Sequence, residues 1–362
     1  MTATLGLAGV VTPIGCTNDA ATPSTATSTA TVGPHESRPL TDGSPTGTSA
    51  ASSTGAGAPP AADAGAGAGA EETTTTATGA TVVEGRRFGV GVTERTFVDE
   101  TRGRTLRTRL LYPTSAPAAA GREPPVAQPD ARPAAGAFPL VLFAHGYLLP
   151  ADGYDRMLAT LASHGYLVAA PDFPHTTGRG GDGNRSDIVN QPADLSFVAD
   201  QVIALGAAGG VPPVPAVAHP DRVAVAGHSD GGLTATAFAY NSTYRDPRVA
   251  AAASLTGGVA LFGGRYDAPN PPPLLLVHGT ADATNGIAAS TSALARLAAP
   301  EEHLVAIDGG DHIGPYMFGT GRADLGDLLA AFVDGALEGD PTARARLRGI
   351  ATTTPGLELR AG

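Results

Sequence analysis

The sequence predicts an α/β fold, a mostly parallel sheet covered by helices on both faces. Six short apolar runs come first: Phe138–Ala144, Tyr166–Ala170, Arg222–Ala226, Val249–Leu255, Leu274–Val277 and Glu302–Ile307. They are too continuous to present one face to water, which is how strands buried on both faces read. Helix-like segments separate them, including Tyr154–His164, Asp194–Leu205, Leu233–Tyr240 and Ala288–Leu297. Strands alternating with helices imply crossover connections and hence parallel pairing. Finally, the residues able to do chemistry fall just after the runs, where ligands bind in sheets of this kind.

Taken in order, residues 1–16 are an apolar segment and residues 17–80 are dominated by Ala, Thr, Ser, Gly and Pro. Such a stretch holds too few large apolar side chains to offset the entropy of ordering, so it reads as a disordered linker. A single catalytic domain is expected over 81–340, with 341–362 as a C-terminal tail. Arg86–Tyr112 alternates and is broken at Asp99–Gly103, as two antiparallel strands around a tight turn would be. Pro113–Ala137 reads as an exposed Pro/Ala connection.

Composition narrows the function. The 362 residues carry a net charge of −11 with no basic block, which argues against nucleic acid as a partner. All 23 basic residues are arginine. The absence of lysine excludes P-loop phosphate binding, Schiff-base chemistry and Ser-Lys dyads. The single cysteine, Cys16, rules out an intramolecular disulfide and a cysteine metal site. It ends the apolar run Leu5–Gly15 in an arrangement that resembles a bacterial lipoprotein signal, although no basic residue precedes the run and Pro13 stands where a branched apolar residue is usual. The expectation is an exported chain, secreted or held at the cell surface by lipidated Cys16, whose catalytic part is a soluble monomer.

The most informative motif is Gly227-His228-Ser229-Asp230-Gly231-Gly232, directly after the run Arg222–Ala226 and before the helix-like Leu233–Tyr240. G-x-S-x-G between a strand and a helix is the pattern of a nucleophile elbow, in which small neighbours let the backbone turn sharply and expose the serine hydroxyl. A serine needs a base within hydrogen-bond reach and a carboxylate to orient that base. His312, in the loop Asp308-Gly309-Gly310-Asp311-His312 after the last run, is the expected base. Asp282, after Leu274–His278, is the expected acid, with Asp308 and Asp311 as rivals. Backbone amides of Asp230 and Tyr147 are the expected oxyanion donors, and the Tyr147 ring is expected to line the acyl pocket.

The other histidines read as supporting residues: His228 for the elbow, His145 for the loop before Tyr147, His278 as a satisfied strand-end histidine and His303 as packing or surface. Gly178–Gly183 fits G-x-G-x-x-G but opens no helix, so no dinucleotide is expected. Asp182, Asn184 and Ser186 match part of a calcium loop, but its spacing fails at Asp187 and Ala193. No cofactor and no metal are expected.

The stretches Phe143–Tyr147, Leu161–Tyr166 leading to Pro171-Asp172, the elbow, His278–Asp282 and Gly309–His312 together resemble the α/β-hydrolase superfamily. The nearest look-alikes are bacterial dienelactone-hydrolase-like and platelet-activating-factor-acetylhydrolase-like esterases, bordering on cutinases. Ser229, Asp282 and His312 follow that superfamily's chain order. The resemblance implies a serine carboxylic-ester hydrolase acting through an acyl-enzyme, here on short- to medium-chain esters. Cutinases and polyester hydrolases usually carry Met where this chain has Asp230. A carboxylate there is expected to disfavour long apolar or aromatic acyl groups, and the chain has no Trp to stack an aromatic unit. Polyester hydrolysis is therefore the second expectation, and a non-catalytic surface binding module is the alternative of another class.

Overall fold

Ten strands form one sheet in the computed structural model, which describes residues 87–117, 125–208, 214–319 and 325–361. All of these fall in one compact unit, Glu72–Gly362. The expected signal segment, Cys16 and the linker through residue 80 lie outside the described residues. No helix among the described residues is long and apolar enough to cross a membrane.

The chain enters through β1 (Phe88–Asp99) and β2 (Arg104–Pro117), antiparallel around the turn read from the sequence. Gly103 takes φ +63°, and the Asp99 carboxylate accepts the Arg102 amide. The two-residue strands β3 (Gln128–Pro129) and β4 (Ala137–Phe138) follow. The connection expected to be exposed is therefore partly built into the sheet, since β3 pairs with β1. Next come β5 (Leu140–Ala144), α1 (Asp155–Ser163), β6 (Leu167–Asp172), α2 (Gln191–Ala208) and the short β7 (Ala216–Val217), which pairs with β4. Then follow β8 (Val223–His228), α3 (Asp230–Tyr240), β9 (Val249–Leu255), β10 (Leu274–Gly279), α4 (Ala288–Leu297) and β11 (Glu302–Ile307). The chain closes with α5 (Gly314–Met317), α6 (Leu325–Val333), α7 (Ala343–Thr353) and β12 (Leu357–Ala361).

Strand order is β12-β11-β10-β9-β8-β5-β6-β2-β1-β3. The six strands β11 to β6 in that order pair in parallel. Every residue of β5 and β8 is buried, because each strand alternates between two cores. Val141, Phe143, Ala224 and Ala226 face a core built with α1, α6 and α7. Leu140, Leu142, Val223 and Val225 face a second core built with α2, α3 and α4. Covering both faces is what makes the continuous apolar runs stable.

The expected tail does not form a tail. Residues 343–353 are helical, burying Ala343, Leu347 and Ala351, and β12 adds to the sheet antiparallel to β11. The physical reason is present in the sequence: Leu347 and Ala351 are four residues apart on one helix face, and Leu357 and Leu359 alternate as a strand does. Without β12, the far edge of β11 would be left unpaired.

β5 lies between β6 and β8, so the connection from β5 to β6 and the later one from β6 to β8 run in opposite directions along the sheet. The crevice beyond the carboxyl ends of β5 and β8 is the switch point at which such sheets bind ligands.

Candidate active site

Ser229 leaves β8 with φ 56° and ψ −119°, an αL-side backbone that a non-glycine residue adopts only when its surroundings enforce it. Its amide donates to the Leu255 carbonyl of β9, and its carbonyl accepts the Leu233 amide of α3. The turn also needs bare neighbours. A Cβ on Gly227 would sit 2.0 Å from the Gly231 carbonyl oxygen, and one on Gly231 would sit 2.0 Å from that of Ala144. These glycines are required by close backbone approach.

The structure brings the three residues expected for the nucleophilic machinery together. His312 Nε2 lies 2.9 Å from Ser229 Oγ, and His312 Nδ1 lies 2.8 Å from Asp282 Oδ2. The other Asp282 oxygen accepts the amides of Thr284 and Asn285, at 2.9 and 2.8 Å. One carboxylate oxygen thus anchors its loop while the other meets the imidazole. Asn285 also donates from its side chain to the Thr256 carbonyl, and Thr256 Oγ1 is 3.4 Å from His312 Nδ1. Of the rival acids, Asp311 is occupied elsewhere, accepting the amides of Ile313 and Gly314 at the start of α5. Those amides hold its carboxyl below the usual carboxylate range. Asp308 is exposed at the end of β11.

The supporting histidines are held in defined roles. His228 is fully buried, with Nε2 2.7 Å from the His312 carbonyl oxygen and Nδ1 2.8 Å from Tyr154 Oη. A carbonyl can only accept, so the proton sits on Nε2 and Tyr154 donates to Nδ1. Burial pushes this imidazole down to about 3, so it stays neutral. His145 donates from Nδ1 to the Gly146 carbonyl and accepts the Phe173 amide at Nε2, which ties the loop after β5 to the end of β6. His278 meets Ser290 Oγ and the Asn285 carbonyl, both at 2.7 Å. His303 packs against Phe332 and meets Glu301.

The two expected oxyanion donors lie on different elements, Tyr147 in the loop after β5 and Asp230 on α3. Asp230 is the first residue of α3, where an amide has no acceptor within its own helix. Around Tyr147, Gly146 donates to Tyr154 Oη, Leu148 to the Thr176 carbonyl and Leu149 to the Gly146 carbonyl. The neighbouring amides are thus committed to the protein. The Tyr147 ring is fixed by its hydroxyl, which donates to the Gly183 carbonyl at 2.7 Å.

Sequence reasoning missed Arg185. Its guanidinium makes two hydrogen bonds to Asp230, Nε to Oδ2 at 2.8 Å and Nη2 to Oδ1 at 2.6 Å, and lies 5.6 Å from the Tyr147 ring centroid. The carboxylate expected to disfavour apolar acyl groups is thus 3% exposed and paired bidentately. A buried carboxylate requires a partner, and that requirement was the available signal. The segment read as a broken calcium loop is a series of local turns, with Asp182 Oδ1 accepting the Asn184 amide and Asn184 Oδ1 accepting the Ser186 amide. Among the described residues, no three His, Cys, Asp or Glu side chains gather as a metal site would require.

Comparison with known proteins agrees with the architecture. A family model described as Chlorophyllase matches residues 114–263, less than half of the chain, a span that includes Tyr147, Arg185 and Ser229. A solved ferulic acid esterase from Streptomyces cinnamoneus is similar with a TM-score of 0.57 and 23% identity, over 78% of this chain and 98% of that one. No curated protein sequence matches. With its central sheet and the elbow at the switch point, the chain has the α/β-hydrolase fold, and what it is similar to includes a chlorophyllase family and a ferulic acid esterase.

Proposed function

We propose that this chain is a serine carboxylic-ester hydrolase that works through an acyl-enzyme on short- to medium-chain esters. The observation that carries the reading is the continuous contact from Ser229 Oγ to His312 Nε2 at 2.9 Å and from His312 Nδ1 to Asp282 Oδ2 at 2.8 Å, on a serine held at φ 56°. His312 takes the hydroxyl proton as Ser229 Oγ attacks the ester carbonyl, while Asp282 accepts the Nδ1 hydrogen bond and stabilises the imidazolium. The amides of Tyr147 and Asp230 receive the oxyanion. Collapse of the tetrahedral intermediate expels the alcohol with the proton from His312. Water, deprotonated by His312, then attacks the acyl-enzyme and releases the acid.

Pairing of Asp230 with Arg185 supports a wider acyl range than the sequence suggested, because the charge beside the serine is compensated. The likeness to a ferulic acid esterase favours aromatic acyl groups as the second substrate class. The test is hydrolysis of p-nitrophenyl esters from acetate to palmitate, together with methyl ferulate, by the full chain and by Ser229→Ala. The expected result is turnover highest on short acyl chains that falls by about 10³-fold or more in the variant. A long-chain maximum would reassign the substrate class, and loss of less than about tenfold in Ser229→Ala would contradict the reading.

A further inference from the structure

We propose that Arg185 is a positioning residue for ester hydrolysis, compensating the Asp230 carboxylate so that the amides of Asp230 and Tyr147 can stabilise an oxyanion. This rests on the serine-hydrolase reading of Ser229. Asp230 follows the nucleophile directly, and its carboxylate is almost fully buried at the first turn of α3. Left unpaired, a negative charge there would oppose the negative charge that develops on the substrate oxygen a few ångströms away, in a setting where water screens little.

Arg185 meets this need from a different element. It opens the 3-10 turn Arg185–Asn190, between β6 and α2, and grips both Asp230 oxygens through Nε and Nη2. That bidentate geometry is one a lysine could not reproduce. Its other contact is the Tyr147 ring at 5.6 Å, and the Tyr147 hydroxyl is itself fixed on Gly183, two residues before Arg185. One guanidinium therefore touches the side chains of both residues whose amides are assigned to the oxyanion. The turn that carries it is anchored in turn, since Asp187 pairs with Arg104 of β2 at 2.8 and 2.9 Å. Because the Arg185 side chain is 54% exposed, its replacement leaves no cavity in the core.

The experiment compares the full chain with Arg185→Gln, Arg185→Lys, Asp230→Asn and the double variant Arg185→Gln/Asp230→Asn. Measurements are kcat and KM on p-nitrophenyl acetate and the affinity of an alkyl boronic acid, which forms an anionic tetrahedral adduct. Arg185→Gln is expected to lower kcat by about 10- to 100-fold with KM within about threefold, and to weaken the boronate in parallel. Arg185→Lys should fall between Arg185→Gln and the parent. The double variant should recover to within about fivefold of the parent, because removing the carboxylate removes the need for the cation. A double variant no more active than Arg185→Gln, or an Arg185→Gln enzyme with parental kcat, would overturn the proposal. Fluorophosphonate labelling separates this from the reading it rests on: labelling that persists in Ser229→Ala would sink the serine mechanism itself, whereas Ser229-dependent labelling with either adverse result would sink only the role of Arg185.

Discussion

His228 donates from Nε2 to the carbonyl oxygen of His312 across 2.7 Å, so the residue just before the nucleophile holds the backbone of the expected base. Through Nδ1 the same ring accepts Tyr154 Oη, which in turn accepts the Gly146 amide in the loop before Tyr147. Three loops from β5, β8 and β11 are thereby fixed to one another by a single neutral imidazole. Replacing it with Leu should lower kcat by about tenfold while KM changes little, since the base is displaced from the serine and binding surfaces are untouched. Steady-state kinetics on one soluble ester checks this, and an unchanged kcat would show that the base loop needs no such support.

The buried histidines also set an acid limit on stability. In the unfolded chain an imidazole takes up a proton near about pH 6.5. In the folded chain burial lowers His145, His228 and His278, with His228 down to about 3. Between those limits the unfolded state binds more protons, so stability falls as pH drops below about 6.5, by at most about 1.4 kcal/mol per pH unit for each fully protected imidazole. Melting temperature should therefore decrease from pH 7 to pH 5, and decrease less steeply in His228→Gln. A flat profile over that interval would contradict the burial argument.

Arg104 is 7% exposed and pairs with both Asp187 and Asp194, which tie the β1–β2 hairpin to the start of α2. Arg104→Leu would leave these two carboxylates poorly compensated, with Arg102 still contacting Asp194. Urea unfolding should show a loss of about 3–5 kcal/mol. A change below about 1 kcal/mol would mean that the network is replaceable by apolar packing.

Truncation after Asp340 removes α7 and β12, exposing Leu304–Ile307 as an unpaired edge and uncovering the core that Leu347 and Ala351 fill. The shortened chain should aggregate or melt at a markedly lower temperature, because an open apolar edge invites pairing with other chains. Light scattering and thermal melts decide this; a monomer melting like the full chain would restore the reading of 341–362 as a tail.

Substitution of Gly227 by Ala is expected to abolish soluble enzyme or its activity, since the added methyl meets the Gly231 carbonyl at 2.0 Å with only backbone to give way. Expression and circular dichroism of the variant check this, and a folded, active Gly227→Ala would show that the elbow relaxes.

The sheet was legible because each of its parallel strands is buried on both faces, so Leu140–Ala144 and Leu274–Val277 appear in the sequence as unbroken apolar runs. The meeting of Ser229, Asp282 and His312 was legible because the expected chemistry calls for those residue types and the topology places each after a strand. What could not be read were pairings between distant segments. Arg185 and Asp230 are 45 residues apart, and nothing local marks which of 23 arginines meets that carboxylate. The helix and strand after residue 341 carried readable periodicity in Leu347, Ala351, Leu357 and Leu359, but in short elements whose stability comes from packing on the sheet rather than from propensity.

The central claim is that Ser229 is the nucleophile, and intact-mass measurement of the full chain after a fluorophosphonate is the direct test. One adduct is expected, mapped by peptide sequencing to Ser229, that abolishes ester turnover in proportion to labelling and is absent from Ser229→Ala. An adduct on another residue, or turnover that survives complete labelling of Ser229, would contradict it.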